Sequence, residues 1–367
     1  MINSEIKKPV IYSFIFSLIY CFGLISSHLN YLDDFGRYTL GYTSWSSNGR
    51  PFADVIMMAI NFGKPLVDLS PLPILLSLFF LSLTGVLLAK KFMPQRSVSF
   101  YVVVTCLLIS NPFFLENLSF KYDILAMSLS ICFIMLCFIH NNNRSLGFFM
   151  STFFIFVSLG LYQSTIGSFI ILALTGASLN LQVKKLSTKK ILKELAIRMM
   201  QLLLAYAFYN IFIIRNLIHD EYSHAHSEII HINSNGFHIA YDNFCAYISL
   251  LSTYFRSMPI TMLYLYAIFF IALSIFIAQR FYKSNRGIAL SVLSIGIPLV
   301  ILYLSFAPMI ILKSSVISSR VMTSFGITLF SLGILSHCIP NKFKIVSYLY
   351  IPLIILNLVI STSYTNA

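Results

Sequence analysis

An all-α polytopic membrane protein with about eleven transmembrane helices is the fold that this sequence predicts. Three observations carry the prediction: charge is scarce, the apolar runs are long and unbroken, and basic residues crowd alternate connections. Only 10% of the 367 residues are charged and 58% are hydrophobic, whereas a soluble domain carries about 25% charged residues. So few charges cannot cover a water-facing surface, so lipid is the main solvent. The 34 Phe and 21 Tyr suit rings that pack against lipid and settle at its interfaces. Barrels are built from short alternating strands, and these runs are continuous, so the spanning elements are helices.

A hydrocarbon core of about 30 Å needs about 20 apolar residues per helix. Runs that meet this rule lie near 10–28, 71–89, 98–112, 123–139, 146–161, 164–181, 199–217, 258–278, 288–305, 321–337 and 345–361. The first follows Lys7 and Lys8 as a secretory signal would, but no small-x-small cleavage site comes after it, and it is read as an uncleaved span. The break at Tyr162-Gln163-Ser164 matters most, because a single helix over 146–181 would move every later connection to the other side. With the N-terminus in the cytoplasm, 17 of the 25 Lys and Arg fall inside, as the positive-inside rule requires. Ten of the twelve acidic residues fall outside, all but Glu5 and Glu194. The basic surplus is thus a topology signal, with no nucleic-acid partner implied. No internal repeat or low-complexity tract appears, so residues 1–367 read as one domain. The six cysteines have no metal-ligand spacing, and no disulfide is predicted.

The outside segments, 29–70, 111–122, 218–257 and 306–320, hold the polar chemistry. The first begins where the first span leaves the bilayer, with Asp33 and Asp34 adjacent and Arg37 placed to face one of them across a helical turn. A nearby cation keeps adjacent carboxylates ionised, and an ionised carboxylate can take the proton of an acceptor hydroxyl. A solvated helix cap is the simpler reading. The segment also holds the only Trp, Trp45, with Tyr31, Tyr38, Tyr42, Phe52 and Phe62. Such rings among Asp, Asn and Arg fit sugar stacking or an interfacial aromatic belt, and 52–62 reads as an amphipathic helix lying on the membrane. In the second segment, Lys121 is placed to hold a lipid phosphate or to snorkel to the interface with Asp123 as its partner. Arg320, at the start of a span, needs a polar cavity or a bound anion, or anchors the interface. Five of the eight His lie in 218–257: His219, His224, His226, His231 and His238. No zinc signature accounts for them, so this segment reads as a mobile loop, no metal is predicted, and no other cofactor is expected. There is no glycine-rich phosphate loop, no Ser-His-Asp pattern, no HExxH and no cytosolic domain for a nucleotide-sugar.

Asp33-Asp34-Phe35-Gly36-Arg37, NPFFLENLSFKYDILAMSLS (111–130), LYQSTIGSF (161–169) and SSRVMTSFG (318–326) resemble the GtrII-type O-antigen glucosyltransferases, serotype-converting and often prophage-borne. The resemblance runs over most of the chain and is weakest over 218–257, the expected variable periplasmic loop. It implies a GT-C-like membrane glycosyltransferase in the bacterial inner membrane, with short periplasmic helices in its loops and its active site facing the periplasm. The implied reaction moves glucose from undecaprenyl-phosphate-glucose to a sugar of the lipopolysaccharide O-antigen repeat, by inversion and without metal. A companion lipid-glucose synthase and a flippase would supply the donor. By position, Asp33 and Asp34 match the acidic motif expected to include the catalytic base. Arg37, Lys121 and Arg320 are the candidates for the donor phosphate, and Asp123, Tyr162, Gln163 and Trp45 for substrate. A transporter or flippase would set its ionisable groups near mid-span, and a polymerase would gather its polarity in one large loop; the acidic residues here do neither.

Overall fold

The computed structural model describes residues 4–27, 30–140, 145–182, 186–218, 221–283, 288–336, 339 and 348–366. Among these residues the ordered elements are helical, apart from an isolated bridge between Ile229 and Leu312. Within the described residues every predicted span contains helix; 28, 337 and 345–347, at the ends of three of them, lie outside the described residues. Leu72–Phe92, Gln163–Gln182, Thr188–Leu217 and Ile260–Lys283 are long and apolar enough to cross a membrane. Val98–Ile109 and Pro112–Ser119, bent by 50°, make a fifth if counted as one span. The others are shorter or interrupted: predicted span 288–305 is broken by a 3-10 turn at Ser294–Gly296, just before Pro298, which lacks a backbone donor. The chain is therefore an all-helical membrane protein with four or five helices of spanning length among its described residues.

The breaks are satisfied by polar side chains, as they must be where no water can reach. At the bend, the Ser110 carbonyl accepts from Asn357 Nδ2 at 2.6 Å and the Asn111 carbonyl from Tyr20 Oη at 3.3 Å. The expected break at Tyr162 is present: Ser145–Leu161 ends, Tyr162 is extended, and Ile166–Gln182 begins. Ser130 Oγ lies 2.8 Å from Ser158 Oγ and 2.7 Å from Thr165 Oγ1, and donates to the Tyr162 carbonyl at 3.1 Å.

The segment after the first span is an ordered cap. It holds the helix Asp33–Leu40, a 3-10 turn Trp45–Asn48 and the helix Pro51–Ile60, the last matching the expected amphipathic helix. Gly41 ends the acidic helix at φ +62°, where a Cβ would lie 2.5 Å from Pro65 Cβ. A small core of Trp45, Ala53, Met57 and Leu66 packs on Tyr122, Ala126 and Leu161, so the cap sits on the ends of two bundle helices.

The mobile-loop reading of 218–257 is corrected. Ser234–Arg256 is a 23-residue helix whose Asn243, Tyr247, Leu251 and Tyr254 are buried along one face. Asn243 Nδ2 donates to the carbonyls of Ile310 at 3.1 Å and Leu312 at 2.9 Å, and Tyr247 Oη donates to the Val316 carbonyl. This helix braces the outer connection 306–320. His219 and the side chain of His224 lie outside the described residues, and no cluster among the described residues could hold a metal ion.

Two helices approach closely at Gly326, where a Cβ would stand 2.5 Å from the Leu108 carbonyl oxygen. A backbone oxygen cannot rotate away, so Gly326→Ala must separate Ser324–Leu335 from Val98–Ile109. We expect a loss of about 1–3 kcal/mol, the usual cost of overpacking, read as a lowered Tm in detergent.

Candidate active site at the acid-rich end

Asp123 is the centre of the site. It stands just ahead of Ile124–Ile139, is buried, and has Arg50 Nη2 2.8 Å from Oδ1 and Arg37 Nη1 3.1 Å from Oδ2. The indole Nε1 of Trp45 donates to Oδ1 at 2.8 Å. Both arginine contacts are ionic, at short distance but without hydrogen-bond alignment. Arg50 is held in addition by its Nε, which donates to the Leu161 carbonyl at 2.9 Å, and its guanidinium lies over the Tyr162 ring at 5.0 Å. The Arg37 guanidinium lies over Trp45 at 4.2 Å and Tyr42 at 5.5 Å. A buried carboxylate persists only when paired and hydrogen-bonded, and the cap supplies those partners.

The two adjacent acids diverge. Asp34 is fully buried and Asp33 is exposed, because successive residues of a helix point about 100° apart. Asp34 Oδ2 accepts from the Lys121 amide at 2.8 Å and Oδ1 from the Tyr122 amide at 3.3 Å. Burial pushes the Asp34 carboxyl up to about 6, the charge of Asp123 adds to the rise, and the backbone amides of Lys121 and Tyr122 oppose it. Asp54 closes the cap from within, accepting from the Ser46 amide at 2.7 Å and the Trp45 amide at 3.3 Å.

Several expected partnerships are corrected. Arg37 is buried and pairs with Asp123, not with Asp33 or Asp34. Lys121 Nζ pairs with Asp68 Oδ2 at 3.3 Å, not with Asp123. Burial would raise the Asp68 carboxyl, but hydrogen bonds from Ser70 and the Lys121 charge outweigh it and hold it below its usual range. Trp45 is fully buried, so its ring presents no stacking face at the surface.

Arg320 is part-buried, with its amide donating to Glu116 Oε2 at 2.9 Å. Its carbonyl accepts from Asn117 Nδ2 at 3.0 Å and Tyr162 Oη at 2.9 Å. Tyr162 thus links Arg50 to the Arg320 turn. Gln163 stands on the flank, where Nε2 donates to Tyr209 Oη at 2.7 Å and the Asn48 carbonyl at 3.0 Å. The sequence reasoning missed Arg50, Asp54 and Asp68. For Asp54 a signal existed: an acid in the first turn of a helix that follows the turn-forming Ser46-Ser47-Asn48-Gly49. For Arg50 there was none.

The site is a buried charge cluster roofed by a helix that shows one carboxylate outward, flanked by part-buried Lys121 and Arg320, at the acid-rich end of a membrane bundle. Residues 21–331 match the family described as glucosyl transferase GtrII. That match covers most of the chain and every residue of the cluster, so this chain belongs to the GtrII family. It is also similar to a Salmonella phage P22 protein described as an uncharacterized 55.3 kDa protein in the gtrB 5' region. Identity is 33% over 238 residues, covering 65% of this chain and 49% of the phage protein, so the chain matches about half the length of that relative. No solved structure matches.

Two outcomes follow from the charge cluster. Asp123→Ala leaves two buried guanidiniums without their counter-charge and should cost about 3–5 kcal/mol, whereas Asp68→Asn, at a more open pair, should cost under about 1 kcal/mol. Because Trp45 is the only tryptophan, intrinsic fluorescence reads the difference directly: a red shift and new quencher access for Asp123→Ala, neither for Asp68→Asn.

Asp34 sets a pH dependence. Its folded value of about 6 stands above its ordinary 3.8, so the folded chain holds this proton longer than the unfolded chain does. The resulting stability is complete below about pH 4 and is lost as pH rises to about 6. Asp34→Asn should flatten that part of the curve relative to the parent, measured by Tm against pH.

Proposed function

We propose that this chain transfers glucose from undecaprenyl-phosphate-glucose to a sugar of the lipopolysaccharide O-antigen repeat, on the periplasmic side of the bacterial inner membrane. Family membership over 21–331, a range that holds the whole charge cluster, is the observation that carries this reading. The phage relative's place in the gtrB 5' region fits a chain that works beside companion proteins, a synthase that loads the lipid and a flippase. The arrangement we infer is GT-C-like, with eleven spans, a cytoplasmic N-terminus and the cap in the periplasm. The surplus of basic residues in the opposite connections supports that orientation.

In this mechanism Asp33 is the base. It is the acid of the pair that an acceptor can reach, because its side chain is exposed at the start of its helix. The acceptor oxygen attacks the anomeric carbon of glucose as its proton passes to the Asp33 carboxylate. The bond between that carbon and the phosphate oxygen breaks on the opposite face, which inverts the centre. The polyprenyl monophosphate leaves as an anion, so no general acid is required. Part-buried Lys121 and Arg320 stabilise the charge that grows on it. Asp34, with both oxygens on backbone amides, is a positioning residue that holds the Lys121 turn against the acidic helix. Trp45 and Asp123 likewise act through the residues they hold, and Tyr162 and Gln163 line the cap's flank.

The test is expression in a smooth-lipopolysaccharide host that supplies the lipid-linked glucose, with mass spectrometry of the O-antigen. The parent should add one hexose per repeat, and Asp33→Asn should lower the rate about 100-fold or more without moving Trp45 emission. Undiminished hexose transfer by Asp33→Asn would remove Asp33 from the mechanism.

A further inference from the structure

A second polar site lies at the other end of the bundle. The 21-residue helix Leu72–Phe92 rises about 30 Å at 1.5 Å per residue. Asp68, the partner of Lys121, precedes its start, and Lys91 lies in its last turn. Around Lys91 there is a cavity of about 160 Å³, bounded also by Ile166–Gln182, by Thr188–Tyr209 and by the end of Ile124–Ile139. It is lined by Lys91, His140 and Arg198 with a single acid, Glu194. Glu194 Oε2 accepts from Asn180 Nδ2 at 2.9 Å, and its charge offsets part of that of Arg198, leaving the lining with a cationic surplus.

Arg198 is held in place. It is only 7% exposed, its Nη1 donates to the Cys137 carbonyl at 3.1 Å and Gln201 Oε1 at 3.2 Å, and its guanidinium lies over the Phe138 ring at 4.6 Å. Phe92 and Phe138 give the same cavity apolar walls. Gly176 leaves space in it, because a Cβ there would meet only Phe92, at 3.7 Å. A held guanidinium with an exposed lysine beside it and aromatic walls, at the end of a membrane helix, suit a ligand with an anionic head and an apolar body.

We propose that this cavity binds the phosphodiester head group of an anionic glycerophospholipid from the leaflet on the basic side. Lys91 and Arg198 face the phosphate oxygens, and the acyl chains leave along Phe92 and Phe138. The site is separated from the acidic cluster by the length of one helix and does not depend on the proposed reaction.

Native mass spectrometry of the full chain in neutral detergent tests it, with phosphatidylglycerol, phosphatidylethanolamine or inorganic phosphate added. Phosphatidylglycerol should be retained selectively. Lys91→Gln should weaken its retention about fivefold, and Gly176→Leu, which fills the cavity, should abolish it with Trp45 emission unchanged. Equal retention of the two lipids, or retention unaltered by Lys91→Gln, overturns the proposal. Displacement of phosphatidylglycerol by millimolar inorganic phosphate overturns the lipid assignment in favour of a free-phosphate site. Should Gly176→Leu fail to fold, the Lys91→Gln comparison decides.

Discussion

A single buried carboxylate organises the acid-rich end of this protein. Asp123 draws Arg37, Trp45 and Arg50 inward from one segment of chain, and Arg50 carries the connection to the carbonyl at the end of Ser145–Leu161. Charges attract more strongly where water is excluded, and an unpaired one is correspondingly costly. The cap, the 120–123 turn and the break at Tyr162 are therefore held as one unit. Two guanidiniums share the one acid, and the negative charge of Asp123 itself reaches Asp34, where it opposes ionisation.

That unit explains how two neighbouring aspartates come to have different properties. Asp34 faces in and ties the acidic helix to the Lys121 turn, while Asp33 faces out. A reactive carboxylate must be reachable and yet rigidly placed, and these are conflicting demands on one residue. Dividing them between adjacent positions of a helix resolves the conflict: one acid fixes the geometry and the other is left for the acceptor of the proposed reaction.

Much of the architecture was legible in the sequence because lipid imposes long apolar runs and leaves a charge asymmetry behind. The break at Tyr162 and the presence of a helix near 52–62 are legible, since polar interruptions and helical spacing are local signals. Partnerships were not legible. Arg37 was matched to its own helix, but its partner is remote in sequence, as is Trp45's, 78 residues away. An aromatic ring in a polar segment reads the same whether it lies at an interface or fills a small core, and Trp45 does the latter. Ser234–Arg256 escaped for another reason: its buried stripe contains Asn243 and Tyr247, polar groups used to hold carbonyls, so the apolar periodicity that marks a packed helix is diluted.

The eight-residue helix Asp33–Leu40 has an inner face of Asp34 and Arg37 and an outer face of Phe35, Tyr38 and Thr39. Among the described residues, none of the ion pairs that anchor the cap uses those outer side chains. Substitutions there can reshape what the outer face of the cap meets while the foundation beneath stays intact. Such a layout separates innovation from integrity, and it lets one scaffold carry a different outward surface by changing a few positions.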